Sequence, residues 1–273
     1  MTTKLIHGSH SHAICIRGNC YDVLPQIPGG SVSLVVCDPP YGTTACSWDS
    51  VLDMSIIWAH LEHILTPLGT AVLFCSQPFT SILGASNPAL LKYDIVWKKN
   101  NVTGFVHAKN RPLKNHEDML VFSKGVTQHA NLSDRRMTYN PQGLFAIKPI
   151  VHKAHGGTMT GMAPRKSHAT YSSTQTVSGY PRTVWEYDTV PKGPLRFHPT
   201  QKPVSLLTEL IRTYSNPGET VLDFTMGSGS TGVACARSGR HFIGVDLDSN
   251  NEYFGRATEW IQNTHKSLVN PPT

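Results

Sequence analysis

Short apolar runs alternate along this chain with stretches whose apolar residues recur every three or four positions. Val32-Ser33-Leu34-Val35-Val36-Cys37 and Ala71 to Cys75 read as buried strands, and residues 12–18, Tyr93 to Trp97 and Met119 to Phe122 as further strands. Tyr21 to Ile27 reads as a short helix or turn. Asp53 to Leu65 predicts a helix, with Met54, Ile57, Trp58, Leu61 and Ile64/Leu65 on one face and Pro67 and Gly69 closing it. A helical segment through Phe79, Ile82 and Leu83 follows. Late in the chain, Val204 to Tyr214 predicts a helix, Thr220 to Phe224 and His241 to Val245 predict strands around a helical Val233 to Arg237, and the pattern runs to about Gln262. Such alternation predicts an α/β fold, a mostly parallel sheet covered by helices.

Periodicity fades between Val126 and Phe197, where Gly, Ser, Thr, Pro and His dominate. This segment is expected to be a loop-rich insertion that gains order on contact with a partner. The expected organisation is therefore 1–125, an insertion over 126–197, and 198–273, the last ending in a frayed tail from Val269. No run of eighteen apolar residues appears, and the N-terminus lacks the apolar stretch of a secretory signal. A cytoplasmic protein without a membrane partner is expected.

Charge adds a partner to this picture. The net charge is only +6, but Lys98 to Lys202 holds 16 Lys/Arg against 5 Asp/Glu, a net of +11, while the remainder holds 8 against 13. Lys98, Lys99, Arg111, Lys114, Arg135, Arg136, Arg165, Lys166 and Arg182, interleaved with Tyr139, Tyr171, Tyr180 and Trp185, suit a surface that neutralises phosphates and packs on sugars or bases. The six cysteines, at 15, 20, 37, 46, 75 and 235, form no Cys-x-x-Cys pair and are expected to be reduced core thiols. The histidine clusters His7/His10/His12 and His152/His155 lack the spacings of a zinc site, so no metal is expected.

Candidate chemistry gathers at two strand ends. Asp38-Pro39-Pro40-Tyr41 follows the strand at 32–37, where open α/β sheets bind ligands. Prolines stiffen the turn and lack N–H groups, so carbonyl oxygens and the Asp38 carboxylate stand ready as acceptors. A planar amino group between them would have both N–H bonds satisfied, with Tyr41 stacking on its ring. That arrangement fits a nucleobase amine; a plain Pro-rich turn is the other reading.

At the second end, Thr220 to Phe224 runs into Thr225-Met226-Gly227-Ser228-Gly229-Ser230-Thr231-Gly232 ahead of a helix. Glycines there let the backbone approach a ligand closely. The next strand ends in Asp246, an acceptor for both hydroxyls of a ribose. The fingerprint by itself fits either a nicotinamide cofactor or S-adenosylmethionine. No Lys follows the glycines, which excludes a P-loop. Asp223 would meet a cationic amino group but repel a pyrophosphate, and only one βαβ unit follows the loop. Both points favour S-adenosylmethionine, on a sheet whose other strands come from the N-terminal part.

The chain resembles the β-class amino-methyltransferases of DNA over nearly its whole length. The order of pieces carries the resemblance: Gly18-Asn19-Cys20, then Asp38-Pro39-Pro40-Tyr41-Gly42, a basic variable region, His198-Pro199-Thr200-Gln201-Lys202-Pro203, and Asp223-Phe224-Thr225-Met226-Gly227-Ser228-Gly229-Ser230-Thr231. It implies a circularly permuted, Rossmann-like S-adenosylmethionine-dependent methyltransferase fold with a seven-stranded sheet, and a target-recognition region at about 126–197. It also implies S-adenosylmethionine as methyl donor and a base amine in double-stranded DNA as acceptor. The leading Asp38 resembles the N6-adenine branch, and Ser is more frequent there in the N4-cytosine branch. Asp38, Pro39, Pro40 and Tyr41 are the implied catalytic residues. The implied cofactor contacts are Asn19, Cys20, Asp38, His198, Thr200, Gln201, Lys202, Pro203, Asp223, Phe224, Thr225, Gly227, Ser228, Gly229, Ser230, Thr231 and Asp246, with Thr200 and Lys202 near the methionine or ribose end. Asn19 stands where the family often has Asp, and its side-chain oxygen is the expected acceptor for an adenine amino group. A bacterial or phage setting, a homodimer and a cognate restriction endonuclease all fit the resemblance. A nicotinamide-dependent oxidoreductase and a non-catalytic nucleic-acid-binding module are the rival classes.

Overall fold

A computed structural model describes residues 1–42, 51–127, 133–154, 171–193, 196–248 and 252–269. It divides into two compact units, Met1–Asn140 with Thr183–Thr273, and Pro141–Arg182.

In chain order the elements are β1 (Thr2–His7), β2 (His12–Arg17), α1 (Cys20–Val23), β3 (Val32–Cys37), α2 (Met54–Ile64), β4 (Leu65–Cys75), α3 (Phe79–Ser86), β5 (Leu91–Thr103), β6 (Lys114–Ser123), β7 (Phe145–Ala154), β8 (Tyr171–Ser178), β9 (Val184–Glu186), α4 (Val204–Tyr214), β10 (Thr220–Asp223), α5 (Ser230–Ser238), β11 (His241–Asp246) and α6 (Phe254–Val269). The first unit carries one sheet in the order β1-β2-β11-β10-β3-β4-β6-β5-β9. The seven expected strands are β2, β11, β10, β3, β4, β6 and β5, and only β6 runs against the others. Two edge strands enlarge the sheet to nine: β1 pairs antiparallel with β2, and β9 parallel with β5. Neither has an apolar run long enough to stand out, because an edge strand is held by backbone bonds on one side and buries little.

Every residue of β3 is buried, as both-faced burial of a central parallel strand requires. From Leu34 onward its side chains alternate between two cores, an irregularity between Val32 and Leu34 having turned Val32 to the second. Leu34 and Val36, with Val72 and Phe74 of β4, pack under α4, α5 and α6. Val32, Val35 and Cys37, with Ala71, Leu73 and Cys75, pack under α1, α2 and α3. The helices therefore cover both faces. Asp53 caps α2 by accepting the Ser55 N–H at 2.9 Å, and α2 buries Met54, Ile57, Trp58, Leu61 and Ile64, the stripe its spacing predicts. The five described cysteines, 15, 20, 37, 75 and 235, are buried and unpaired; Cys46 lies outside the described residues.

The second unit holds β7 and β8, paired antiparallel. The region read as loop-rich thus contains a hairpin. Its β8 sequence, Tyr171-Ser172-Ser173-Thr174-Gln175-Thr176-Val177-Ser178, is polar on both faces, and hydrophobic alternation cannot reveal such a strand.

Candidate active site

β10 and β3 lie side by side in parallel, Leu222 opposite Val35. From this pair the sheet grows through β11 on one side and β4 on the other. The strand order reverses here, which opens a crevice at the carboxyl ends. Asp38-Pro39-Pro40-Tyr41 and the glycine loop emerge into it together.

The Thr225 side chain joins the two segments, and further bonds hold Asp223 within the loop. The Thr225 hydroxyl donates to the Asp38 carbonyl at 3.0 Å and stands 2.9 Å from the Cys37 Sγ. The Thr225 N–H donates to Asp223 Oδ1 at 3.2 Å, and the Thr231 hydroxyl to Asp223 Oδ2 at 2.6 Å. Asp223 is buried and meets no Lys or Arg among the described residues. Burial pushes its carboxyl up to about 7. A buried acid with donors but no cation is suited to an incoming ammonium group.

Asp246 closes the other side of the loop. Its Oδ2 accepts the Gly227 N–H at 2.7 Å and its Oδ1 the Asp248 N–H at 2.9 Å; burial raises this carboxyl too. Each oxygen keeps a lone pair, enough for the two hydroxyls of a ribose. The Gly18 N–H donates to the Asp246 carbonyl at 2.9 Å, which brings the Gly18-Asn19-Cys20 segment alongside. Asn19 caps α1, its side-chain oxygen accepting the Tyr21 N–H at 3.1 Å. Gly227 adopts φ +46°, and a Cβ there would stand 3.3 Å from the His198 ring. The Cβ-free loop and the hexapeptide at 198–203 thus pack directly on one another. His198 meets Tyr253 edge-on at 4.5 Å, and burial, helped by Lys202, lowers its imidazole to about 4. It is neutral at pH 7.

A cavity of about 740 Å³ takes in both segments. All the cofactor candidates border it except Pro203 and Gly229. Pro203 sits buried at the N-cap of α4. Gly229, at φ +74°, turns toward α6, where a Cβ would come within 3.1 Å of Ala257. Both shape the lining segments from behind.

At the far end of the cavity, Asp38 Oδ1 accepts the Tyr41 hydroxyl and Oδ2 accepts the Lys202 Nζ. Lys202, expected near the methionine or ribose end of a cofactor, borders the cavity and turns its ammonium to Asp38. The same ammonium stands 3.4 Å from Glu117 Oε2, and Glu117 Oε1 accepts the Lys99 Nζ at 2.5 Å. Asp38, Lys202, Glu117 and Lys99 therefore form one chain of alternating charge, largely shielded from water. Burial pushes the Asp38 carboxyl up against the pull of Lys202, with Glu117 adding to the rise. Burial opposes ionisation of Glu117 as well, but Lys202 and Lys99 outweigh it and hold that carboxyl below its ordinary value. For Lys202 the two carboxylates overcome burial and raise the ammonium. The Tyr41 hydroxyl is raised by burial and by Asp38, so it stays protonated and donates. Its ring stacks on Phe79 at 5.4 Å.

Glu117 is the functional candidate that motif reading passes over. With Asp118 it is the only acid between Asp94 and Asp134 in a cation-rich stretch, and that isolation at the mouth of an apolar strand is the available signal.

The cationic candidates separate by place. Lys99 and Lys114 border the cavity, Lys114 donating to the Ser76 hydroxyl. Burial and the Glu117 pair withdraw Lys99 from a phosphate-contacting surface. Lys98 pairs with Glu186 at 2.9 Å on the outside. Arg111, Arg135 and Arg136 are exposed, and Arg182 is exposed within the second unit. Arg165 and Lys166 lie outside the described residues. Trp185, expected on a base-packing surface, is buried, because β9 seats it beside Trp97 of β5. Tyr139 and Tyr180 remain exposed.

Known proteins resemble this chain in sequence and in fold. A family model described as DNA methylase matches residues 32–262. The type II methyltransferase M1.MboII of Moraxella bovis is 29% identical over 252 residues, covering 88% of this chain and 92% of that protein. The DNA adenine methyltransferase YhdJ of Escherichia coli (strain K12) is 29% identical over 249 residues, covering 86% and 78%. Among solved structures, the M1.HpyAVI–SAM complex superposes with a TM-score of 0.59 at 21% identity, covering 90% of this chain and 98% of that one. The PvuII DNA methyltransferase, cytosine-N4-specific, superposes with a TM-score of 0.62 at 15% identity, covering 98% and 96%. These two share the Rossmann-like methyltransferase fold. The matched span begins at the strand that carries Asp38, runs through the glycine loop and Asp246, and ends in α6, so the chain belongs to the DNA methylase family.

Proposed function

We propose that this protein transfers a methyl group from S-adenosylmethionine to the N6 amine of adenine at a specific sequence in double-stranded DNA. The observation that carries the reading is the Thr225 bridge, which holds the Asp38 turn against the glycine loop so that an amine acceptor and a donor cradle share one cavity. Relatives named as DNA adenine and type II methyltransferases support it, as does the acid that leads Asp38-Pro39-Pro40-Tyr41.

The residues fit the donor. Asp223 would pair with its ammonium group, Asp246 would accept its ribose hydroxyls, Asn19 and Cys20 would flank its adenine, and His198, Thr200 and Gln201 would cap it over Gly227 and Ser228. When bound, S-adenosylmethionine supplies a methyl group on a sulfonium, open to in-line attack.

The target adenine must leave the duplex, because its amine is engaged in base pairing. Asp38 and the Pro39 carbonyl accept its two N–H bonds, which favours a more pyramidal nitrogen and stabilises the charge that develops there. Lys202 already occupies Asp38. As the amine arrives, the ammonium shifts its weight to Glu117 Oε2, 3.4 Å away and otherwise without a hydrogen bond. After transfer the methylated nitrogen loses its extra proton to Asp38 or to water. Orientation and electrostatics carry the catalysis.

The alternative acceptor is N4 of cytosine, whose amine makes the same two donor contacts. A homodimer, a cognate restriction endonuclease, and a bacterial or phage cytoplasm belong to the same reading. So does a target-recognition role for the region at 126–197. The test is methylation of mixed-sequence DNA with labelled S-adenosylmethionine, followed by sequencing for the modified base and its context. Label on adenine is expected, and Asp38→Ala should abolish it while keeping cofactor affinity within about threefold. No label on any DNA would sink the proposal.

A further inference from the structure

β5 and β6 form a hairpin that outruns the apolar part of the sheet. Trp97 and Met119 are core residues, but beyond them the strands continue to Thr103 and from Lys114. Lys99, Asn101, Thr103, Lys114, His116 and Glu117 line the cavity that holds Asp38. Alternate residues of β5 thus make a wall leading from the catalytic acid outward. Immediately past Thr103 the chain turns. Gly104 takes φ +89° and opens a single tight turn, Phe105–His107. Phe105 is 67% exposed and Val106 92% exposed.

Two large apolar side chains held out at a hairpin tip call for a partner. Charge selects which one. From Lys98 through His116 there are five Lys/Arg and no acid, and neither Lys109 nor Arg111 pairs with a carboxylate among the described residues. An apolar point set in cations suits the base stack of a polyanion. From Lys99 to Phe105 is about 20 Å of extended chain, enough to reach a duplex whose extruded base lies against Asp38.

We propose that Phe105 and Val106 form a wedge that enters the DNA stack beside the extruded base and keeps the gap from closing, while Lys109 and Arg111 hold flanking phosphates. Apolar wedges of this kind unstack a base step and kink the duplex. The inference rests on the base-flipping reading above and adds to it the element that holds the duplex open.

The test uses the full chain and a duplex bearing the methylated sequence once it has been read out, with the target base either paired or opposite an abasic site. Phe105→Ser with Val106→Ser should slow transfer to the paired duplex at least tenfold and return to within about threefold of wild type on the abasic duplex, with cofactor affinity and melting temperature unchanged. Lys109→Ala with Arg111→Ala should instead weaken binding to both duplexes and lower the salt dependence by about two phosphate contacts. The wedge is overturned if the apolar double variant matches wild type on both duplexes, or is equally slow on both. It is also overturned if that variant turns a dimer into a monomer in light scattering, which would assign the patch to a second copy of the chain. Failure of the wild type to methylate any DNA would strike the methyltransferase reading itself, and would be seen before any variant was made.

Discussion

One ammonium shared between two buried carboxylates makes opposite predictions for its two neighbours. Lys202→Met removes the cation from Asp38 and leaves Asp38 and Glu117 facing each other. The Asp38 carboxyl, already raised by burial, must rise further, and the acid limb of the rate profile moves to higher pH. Glu117→Gln keeps the shape and removes the charge that lifts Asp38. Asp38 then falls, and the limb moves to lower pH. At 3.4 Å, the Glu117–Lys202 attraction is about 5 kcal/mol at an effective dielectric of about 20. Removing one partner of a buried pair costs about 3–5 kcal/mol. If about 3 kcal/mol of that reaches the transition state, Lys202→Met slows transfer by roughly 100-fold at pH 7. Glu117→Gln weakens the pull that draws Lys202 off Asp38 and takes the charge from the Lys99 pair while keeping the shape; about 1.4 kcal/mol in the barrier gives a loss of about tenfold. The assay is single-turnover methyl transfer at saturating cofactor from pH 5.5 to 9, with S-adenosylhomocysteine affinity as a check on folding. Limbs that move in the same direction, or a Lys202→Met enzyme within threefold of wild type, would refute the idea that Lys202 is passed between Asp38 and Glu117.

Two further outcomes follow from single residues. In the cofactor-free chain Asp223 keeps its proton up to about 7, against an ordinary value of 3.8. Its contribution to stability is therefore complete below about 3.8 and is lost as pH rises through about 7. Binding an ammonium group reverses this preference and expels the proton, so cofactor affinity should rise up to about tenfold from pH 6 to 7 and level off above; Asp223→Asn should bind more weakly and without the slope. Calorimetry in buffers of different ionisation enthalpy checks this, and proton uptake would contradict it. Gly232→Ala tests the packing behind the loop: the new Cβ would lie 2.6 Å from Ile261 and 2.8 Å from Phe242. Overpacking of this kind costs about 1–3 kcal/mol, a fall in melting temperature of about 3–10 °C, and an unchanged melting curve would show that α5 and α6 separate freely.

Much of the site is legible because it sits where local patterns end. The buried run Val32 to Cys37 has to stop at the sheet edge, and the first residue past it is Asp38. Thr220 to Asp223 likewise stops at an acid followed by glycines whose spacing serves close backbone approach. Such signals need only neighbours in the chain. The parts that were not legible are pairings across long separations. Lys202 lies 164 positions from Asp38, and nothing local shows that the two side chains meet. Lys98 and Lys99 look alike in sequence, yet strand alternation sends one to the surface and the other to Glu117. Trp185 reads as a base-stacking aromatic until β9 pairs with β5 and buries it.

By itself, then, the sequence determined the α/β layering, the strand ends that carry Asp38 and Asp223, the glycine loop and the concentration of positive charge, because each follows from periodicity, from backbone freedom or from a count. Only the tertiary structure decided which charges neutralise one another, that Glu117 belongs to the site, and that the β5–β6 hairpin lifts Phe105 and Val106 out of the core. Those outcomes depend on distances between segments that the fold alone brings together, in surroundings poor enough in water for a few ångströms to decide which carboxylate holds the ammonium.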